Sequence, residues 1–164
     1  AIEPFPEILS TLQHSVQANG FSNVRLRNFC ISDHTGETIL WKNFGKPHSF
    51  GMVKRDEKAI PLSVLSVRLD DLFLWEKLDR CDYLKIDAEG AEQQVLSGAL
   101  CTIIKFRPII QLEVNISNIS FGVDDYTVFQ PIFENLKPSP NRIFIPKESP
   151  KIDVPKRLGW TQIA

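Results

Sequence analysis

Long apolar runs are what this 164-residue sequence most lacks. None approaches the roughly 20 residues a bilayer-spanning helix requires, and the first residues show neither the basic nor the apolar region of a secretory signal. The expectation is a soluble chain, with the cytoplasm favoured as its compartment. An excess of one charge is also missing. With 19 basic against 20 acidic residues and a formal net charge of -1, no basic field would draw nucleic acid or an anionic lipid surface, so neither is expected as a partner. Cysteine is scarce and odd in number. Cys30, Cys81 and Cys101 sit in apolar segments without metal-type spacing, which argues against a disulfide framework and predicts reduced, buried thiols. None of the 8 glycines forms a Gly-x-Gly turn after a strand, so the loop that lets a backbone approach a nucleotide cofactor is absent from these residues.

What remains is a chain with 43% hydrophobic residues, enough for one compact domain over residues 1–164. It opens on Ala1-Ile2-Glu3-Pro4, without an initiator methionine, which reads as the end of a strand on an acidic residue and as a cut inside a longer domain. Ile8, Leu9, Leu12 and Val16 then form a helical stripe stopped by Asn19-Gly20. Asn23 to Ile31 is expected to be a strand, Ser32 to Gly36 a turn, and Glu37 to Phe44 and Ser63 to Arg68 extended. The irregular segment between those two, with Gly45, Pro47, His48, Gly51 and Pro61, reads as a β-rich excursion with loops. Leu69 to Leu78 reads as a short helix. Cys81 to Ile86 suits a strand buried on both faces, and Ala91, Val95, Ala99 and Ile103 suit one helix after it. Pro108 to Val114 is another strand. Tyr126, Phe129, Ile132, Phe133 and Leu136 predict a helix before Pro138 and Pro140, and Arg142 to Ile145 a last extended piece before a Pro- and Lys-rich tail ending in Gly159-Trp160. Strands alternating with helices predict an α/β fold with a mostly parallel, doubly wound sheet, and ligands there bind beyond the carboxyl ends of the strands.

The densest polar site at such an end is Lys85-Ile86-Asp87-Ala88-Glu89-Gly90-Ala91-Glu92, where an apolar strand stops in three carboxylates around a glycine. Two readings stay open. Asp87 caps the following helix, with Glu89 and Glu92 at i, i+3 spacing favouring its positive end, or the carboxylates face a ligand. Asn115-Ile116-Ser117 and Asn118-Ile119-Ser120 fit the glycosylation acceptor pattern, which matters only in a secreted chain. His14 and His48 suit surface or packing roles, and Trp41, Trp75 and Trp160 suit the core or its rim.

"VRLDDL", then "DYLKIDAEGAEQQVLSGA", then "RPIIQLEVN" closely resemble the core signature of the FkbM methyltransferases. Upstream, "IEPFPEILSTLQHSVQANG" resembles the family's second-strand segment and "ISDHTGE" its third-strand turn, so the resemblance runs from residue 2 to about residue 115. It implies a Rossmann-like class I methyltransferase fold, S-adenosylmethionine as cofactor, and transfer to a hydroxyl of a sugar, polyketide or other small-molecule or glycan acceptor.

Residue by residue, it places Glu3 on the two ribose hydroxyls, which suit one carboxylate because it accepts two hydrogen bonds at once. It places Ser32 and Asp33 near the adenine, and Asp87 beside the methyl group, as positioner or general base for the acceptor hydroxyl. Glu89 and Glu113 would face the acceptor, with Asn115 just beyond. Asp87, Glu89 and Glu113 together would suit a hard cation such as magnesium, yet their spacing fixes no coordination shell, and no metal is expected.

The family's first motif, a strand running into a glycine-rich loop, is missing before Glu3. The domain is therefore expected to be N-terminally truncated, with two interior strand edges unpaired. These residues alone are then expected to bind S-adenosylmethionine weakly or not at all. A non-catalytic binding or interaction module on the same fold is the rival function class.

Overall fold

The computed structural model describes residues 1–44, 49–52, 54–113, 124–132 and 137–163, with the backbone alone at 49 and 50. Helix α1 covers Pro6–Ala18. Strands β1 (Cys30–Ile31), β2 (Gly36–Asn43), β3 (Ser49–Gly51) and β4 (Ile60–Val67) precede helix α2 (Leu69–Trp75) and strand β5 (Tyr83–Ile86). Helices α3 (Glu92–Ser97) and α4 (Leu100–Phe106), strands β6 (Ile109–Glu113), β7 (Tyr126–Gln130) and β8 (Asn141–Pro146), helix α5 (Val154–Arg157) and strand β9 (Thr161–Ile163) follow. None of these helices is long and apolar enough to cross a membrane.

The strands form two sheets, ordered β1-β4-β2-β3 and β5-β6-β8-β7-β9. The chain is α/β as expected, but the sheets are mixed instead of mostly parallel. Only β1 with β4 and β5 with β6 run parallel; the hairpin-like pairings of β2 with β3 and β4, and of β8 with β6 and β7, are antiparallel. Among the described residues helices separate only β4 from β5, β5 from β6, and β8 from β9, and parallel neighbours usually need such a crossover.

Helix α1 starts with Pro6 in its first turn, where the missing N–H is harmless, and ends at Asn19, whose backbone N–H donates to Ser15 O. Gly20 then takes φ +67°, the left-handed stop expected there. The strand expected over Asn23 to Ile31 is pared down to β1 and a parallel bridge between Ile2 and Arg27. In β5 the side chains alternate, with Leu84 and Ile86 facing the core while Tyr83 and Lys85 are exposed, so the strand is covered on one face and not on both.

The expected helix from Ala91 to Ile103 breaks in two around Gly98, although Ala91, Val95, Ala99 and Ile103 do share one buried face. The break has an identifiable cause. Asp70 N donates to Gly98 O, and the buried Asp70 carboxylate accepts from the amides of Cys101 (3.1 Å) and Thr102 (2.8 Å) and from Thr102 Oγ1 (2.8 Å). A side chain of α2 thus satisfies the first orphan donors of α4, and the helix restarts there. Gly98 must also be glycine, because a β-carbon would collide with the carbonyl oxygen of Ser32.

Tyr126–Gln130 is a strand and not the predicted helix; Phe133 and Leu136 lie outside the described residues, as do Gly45, Pro47, His48, Asn115 and Asn118. The Tyr-Thr-Val-Phe run is rich in β-formers, and its alternation is what counts. Tyr126 and Val128 pack on the main core while Phe129 turns to a second cluster with Ile143, Ile145, Ile109, Ile152 and Trp160. The Pro- and Lys-rich tail supplies β9 and carries Ile152 and Trp160 onto that cluster. The three cysteines are free, but Cys30 and Cys81 are half-buried and Cys101 is exposed, against the expectation of buried thiols.

The main core joins Val67, Leu69 and Leu72 to Ile86, Val95, Leu96, Ala99, Ile103, Ile110, Leu112 and Phe144, so α2, α3 and α4 cover one face of the five-stranded sheet. Removing the carboxylate beneath α4 strands three donors in this dry junction. Asp70→Ala is expected to lower unfolding free energy by about 2–4 kcal/mol, Asp70→Asn by less because one acceptor oxygen stays, each read from urea unfolding curves.

Candidate functional site

A cavity of about 630 Å3 opens between the two sheets, within the roughly 300–1,000 Å3 usual for small-molecule sites. Two extended backbone edges bound it. One is Ala1–Glu3, tied on its outer side to Arg25 and Arg27 by Ala1 N to Arg25 O, Arg27 N to Ala1 O and Glu3 N to Arg27 O. The other is β5, which among the described residues pairs with β6 alone. Apolar side chains of Ile31, Leu69, Ile86 and Val95 line its interior, while Leu40, Gly51 and Met52 reach it from the four-stranded sheet and the residues after it.

Glu3 stands on the first edge. Its Oε1 accepts from the Phe5 amide at 2.8 Å, and Asn28 Nδ2 pins the segment by donating to the carbonyls of Glu3 and Pro4, both at 3.0 Å. Desolvation raises the Glu3 carboxyl above the ordinary carboxylate range, with the Phe5 amide pulling the other way. A half-buried carboxylate with only one oxygen taken up by its own backbone can still accept from a ligand.

Asp87 and Glu89 stand on the other side, directly after β5. Asp87 Oδ2 pairs with Lys85 Nζ at 2.7 Å. The Ile86–Leu112 register of the parallel β5–β6 pair brings Glu113 beside Asp87, close enough for the two carboxyls to share a hydrogen bond. The negative charge of Asp87 is the main cause that raises the Glu113 carboxyl; desolvation adds to it, Glu89 contributes further repulsion, and Lys85 offsets part. On the same face, Tyr83 OH donates to Gln111 Oε1, and Gln111 Nε2 donates to Asn141 Oδ1 at 2.9 Å, so a polar ladder crosses β5, β6 and β8.

Of the helix-cap reading, Glu92 does sit in the first turn of α3, but Asp87 does not cap that helix. Ala91 is the N-cap of α3, with no side-chain cap bond, and Glu89 precedes the helix with φ +50°. Glu89 and Glu92 therefore do not share a helix face. Glu92 instead is 3% exposed, and its Oε1 accepts from the amides of Ala88 (3.2 Å) and Gly90 (3.1 Å). Gly51 packs against the Glu89 carbonyl, with room for a β-carbon only 3.1 Å from that oxygen, and Arg55 Nη2 reaches the same oxygen at 3.5 Å.

The cavity thus gathers Glu3, Asp87 and Glu89, with Glu113 adjoining through Asp87. Ser32 and Asp33 are not on its wall. Ser32 is buried beneath Gly98 with its amide on Val67 O, and Asp33 is exposed, with Oδ1 on His34 Nδ1 at 2.9 Å. That partner lowers the Asp33 carboxyl, and Asp33 raises the His34 imidazole. His14 is exposed on α1, Trp75 is exposed at the end of α2, and Trp41 and Trp160 are half-buried. Among the described residues no group of three His, Cys, Asp or Glu side chains is arranged to hold a metal ion. Glu92, Lys85 and Arg55 were not singled out as site residues from sequence. For Lys85 a signal existed, since i, i+2 spacing on a strand puts it on the face of Asp87.

None of the curated proteins compared with the chain matches it. Among solved structures, the crystal structure of methyltransferase FkbM from Methylobacillus flagellatus KT superposes with a TM-score of 0.59 at 17% identity. That match covers 87% of this chain and 35% of the other, so the chain spans about a third of that protein's length, and at this identity the likeness speaks for the fold. The model of the methyltransferase FkbM domain matches residues 1–139. The carboxylate-rich turn after β5 and the acid before α1 lie inside that match, and the chain belongs to the FkbM methyltransferase family.

Proposed function

We propose that this chain serves S-adenosylmethionine-dependent methyl transfer to a hydroxyl oxygen of a small-molecule or glycan acceptor, such as a sugar or polyketide. The observation that carries the reading is the convergence of Glu3, Asp87 and Glu89 on one cavity from opposite edges. Glu3 is the ribose-binding acid. Its desolvated carboxyl, engaged by its own backbone through Oε1, accepts hydrogen bonds from adjacent hydroxyls. The cofactor, when bound, supplies a methyl group on a positively charged sulfur, and a cavity flanked by carboxylates suits a cation.

Asp87 orients the acceptor hydroxyl and takes its proton. Lys85 holds Oδ2 from the side, and the neighbouring Glu113 carboxyl is raised by the Asp87 charge. Positioning is the larger contribution, since transfer of a methyl group needs close approach and alignment above all. Ser32 and Asp33, which the family resemblance would put near the adenine, lie off the cavity wall and are given no role in this reading.

Calorimetric titration of S-adenosylmethionine into the full protein that carries this chain tests the reading. Glu3→Ala is expected to weaken binding by about tenfold, the worth of a charge-assisted hydrogen bond, and unchanged affinity would remove Glu3 from the ribose. Asp87→Asn is expected to lower turnover while leaving cofactor affinity near wild type.

The same substitution has a signature that needs no ligand. Because repulsion from Asp87 raises Glu113, deleting that charge makes ionisation easier. The 13C carboxyl titration of Glu113 should then move down toward the ordinary glutamate range. The stability sign follows. A carboxyl raised in the folded state contributes stability that is full below its unfolded pKa and is lost as pH rises through the higher folded pKa, so Asp87→Asn should flatten that loss.

A further inference from the structure

Glu92 is a carboxylate that methyl transfer as described does not use, yet it is the most buried acid of the chain's described residues, at 3% exposure. Isolated burial of a charged side chain is costly, so its partners matter. They are backbone donors of the turn that carries the site. Oε1 accepts from Ala88 N and Gly90 N, which flank Glu89, while Ala91 N closes the same turn on Ala88 O at 3.1 Å. Within that turn Glu89 takes φ +50° and Gly90 φ +102°, two successive residues on the left-handed side. For Glu89, which has a β-carbon, this conformation is disfavoured and persists only where its surroundings over-determine it.

We infer that Glu92 is a positioning residue: its buried carboxylate clamps the Ala88–Gly90 turn and thereby sets Asp87 against Glu113 and Glu89 at the cavity. The inference rests on the proposed methyl-transfer site for its functional meaning, and on the hydrogen bonds alone for its geometry. Asp87 is the residue immediately before the first clamped amide, so any slackening of Ala88 reaches it through one peptide unit. Asp87 has a covalent tether to β5 on one side and, through Ala88, the Glu92 clamp on the other. Glu89 lies between the two clamped amides, and its carbonyl is met from outside by Gly51 and Arg55. Among the described residues, Lys85 on β5 and Glu89 in the turn act on the pair, and Arg55 from the segment before β4 reaches the Glu89 carbonyl. None of them bonds the amides that Glu92 holds.

The clamp separates chain length from charge in a way substitutions can exploit. Glu92→Gln keeps the side-chain length and an oxygen acceptor. Glu92→Asp keeps the charge but withdraws the carboxylate by one methylene, out of reach of both amides at once. Neither leaves a large void.

Two measurements on the protein without added ligand test the inference: amide hydrogen exchange at Ala88 and Gly90, and the 13C carboxyl titration of Glu113. With Glu92→Asp, exchange at both amides should rise by about tenfold or more while Ile110 and Leu112 in β6 stay protected. The raised Glu113 titration should fall toward the ordinary range as Asp87 drifts from it. With Glu92→Gln both signatures should stay near wild type. A purely structural acid would leave the Glu113 titration unmoved, so an unshifted titration in Glu92→Asp, or equal shifts in both variants, overturns the positioning role. If Glu92→Asp does not fold, a Glu92→Gln protein that loses either signature overturns it equally. Because neither readout involves S-adenosylmethionine, a failure of cofactor binding or turnover sinks the proposed function without touching this result, and the reverse also holds.

Discussion

The break between α3 and α4 is the constraint on which the remaining structure depends. At that point three elements meet at backbone distance: Asp70 of α2 holds the Gly98 carbonyl and the first amides of α4, and Gly98 lies against the Ser32 carbonyl just after β1. Ser32 belongs to the four-stranded sheet, through its amide on Val67 O at the end of β4. The helices belong to the five-stranded sheet, through Leu96, Ala99 and Ile103 on its core face. The spacing of the two sheets, and with it the cavity between Ala1–Glu3 and β5, is therefore set by a contact that admits no side chain at position 98. Polar groups in such a place are worth more satisfied than their net hydrogen-bond energies suggest, because the alternative is a dry, unpaired donor. Asp71 adds a second tie, accepting from Thr35 Oγ1 while Thr35 in turn accepts from the Arg68 amide.

On that frame the cavity is electrically one-sided. Glu3 lies across it from Asp87 and Glu89, and Glu113 backs Asp87; Lys85 and Arg55 are the nearby counter-charges. Lys85 is committed to Asp87, and Arg55 to a backbone carbonyl, so neither cancels Glu3. Glu113 registers this excess directly, raised first by the Asp87 charge and further by Glu89, whereas Glu3 is raised by desolvation. Such a place disfavours an anionic ligand and favours a cationic or hydroxyl-rich one. The formal charge of the whole chain, -1, says nothing of this, since it averages over a surface where basic residues lie elsewhere.

Much of this is legible in the sequence alone. The helix from Pro6, its stop at Asn19-Gly20, the short strand ending at Ile86 and the shared face of Ala91, Val95, Ala99 and Ile103 all follow from periodicity and breakers. The failures have local causes. Tyr126 to Gln130 carries apolar residues at both helical and strand spacing, and only its pairing with β8 and β9 decides between them. Alternating strands and helices suggest parallel crossovers, whereas β2 pairs antiparallel with both β3 and β4, an arrangement periodicity does not reveal. In the site, three carboxylates around a glycine suggested three comparable acids. Burial sorts them: Asp87 and Glu89 face outward, and Glu92 turns in to hold their backbone. No spacing rule distinguishes them, because the left-handed step at Glu89 reverses the facing that helical spacing assumes.

The family motif and the folded unit do not coincide, and the difference is physical. The family match ends at residue 139, but β8, at Asn141–Pro146, is the central strand of the five-stranded sheet, with β6 on one side and β7 on the other. The motif residues concentrate at the ends of β5 and β6, where the carboxylates cluster. A central strand needs only alternating apolar bulk, which Ile143, Phe144 and Ile145 supply to the two faces. Arg107 shows how that less distinctive region is still fastened to the motif-bearing part. At the left-handed end of α4 it donates to the carbonyls of Asp124 and Asp125, lies over the Tyr126 ring and pairs with Glu148, whose carboxyl it draws down to about 2. One side chain thus joins the helix behind the carboxylate turn to the segments entering β7 and leaving β8, and the sheet that carries Asp87 and Glu113 is closed by residues that no motif marks.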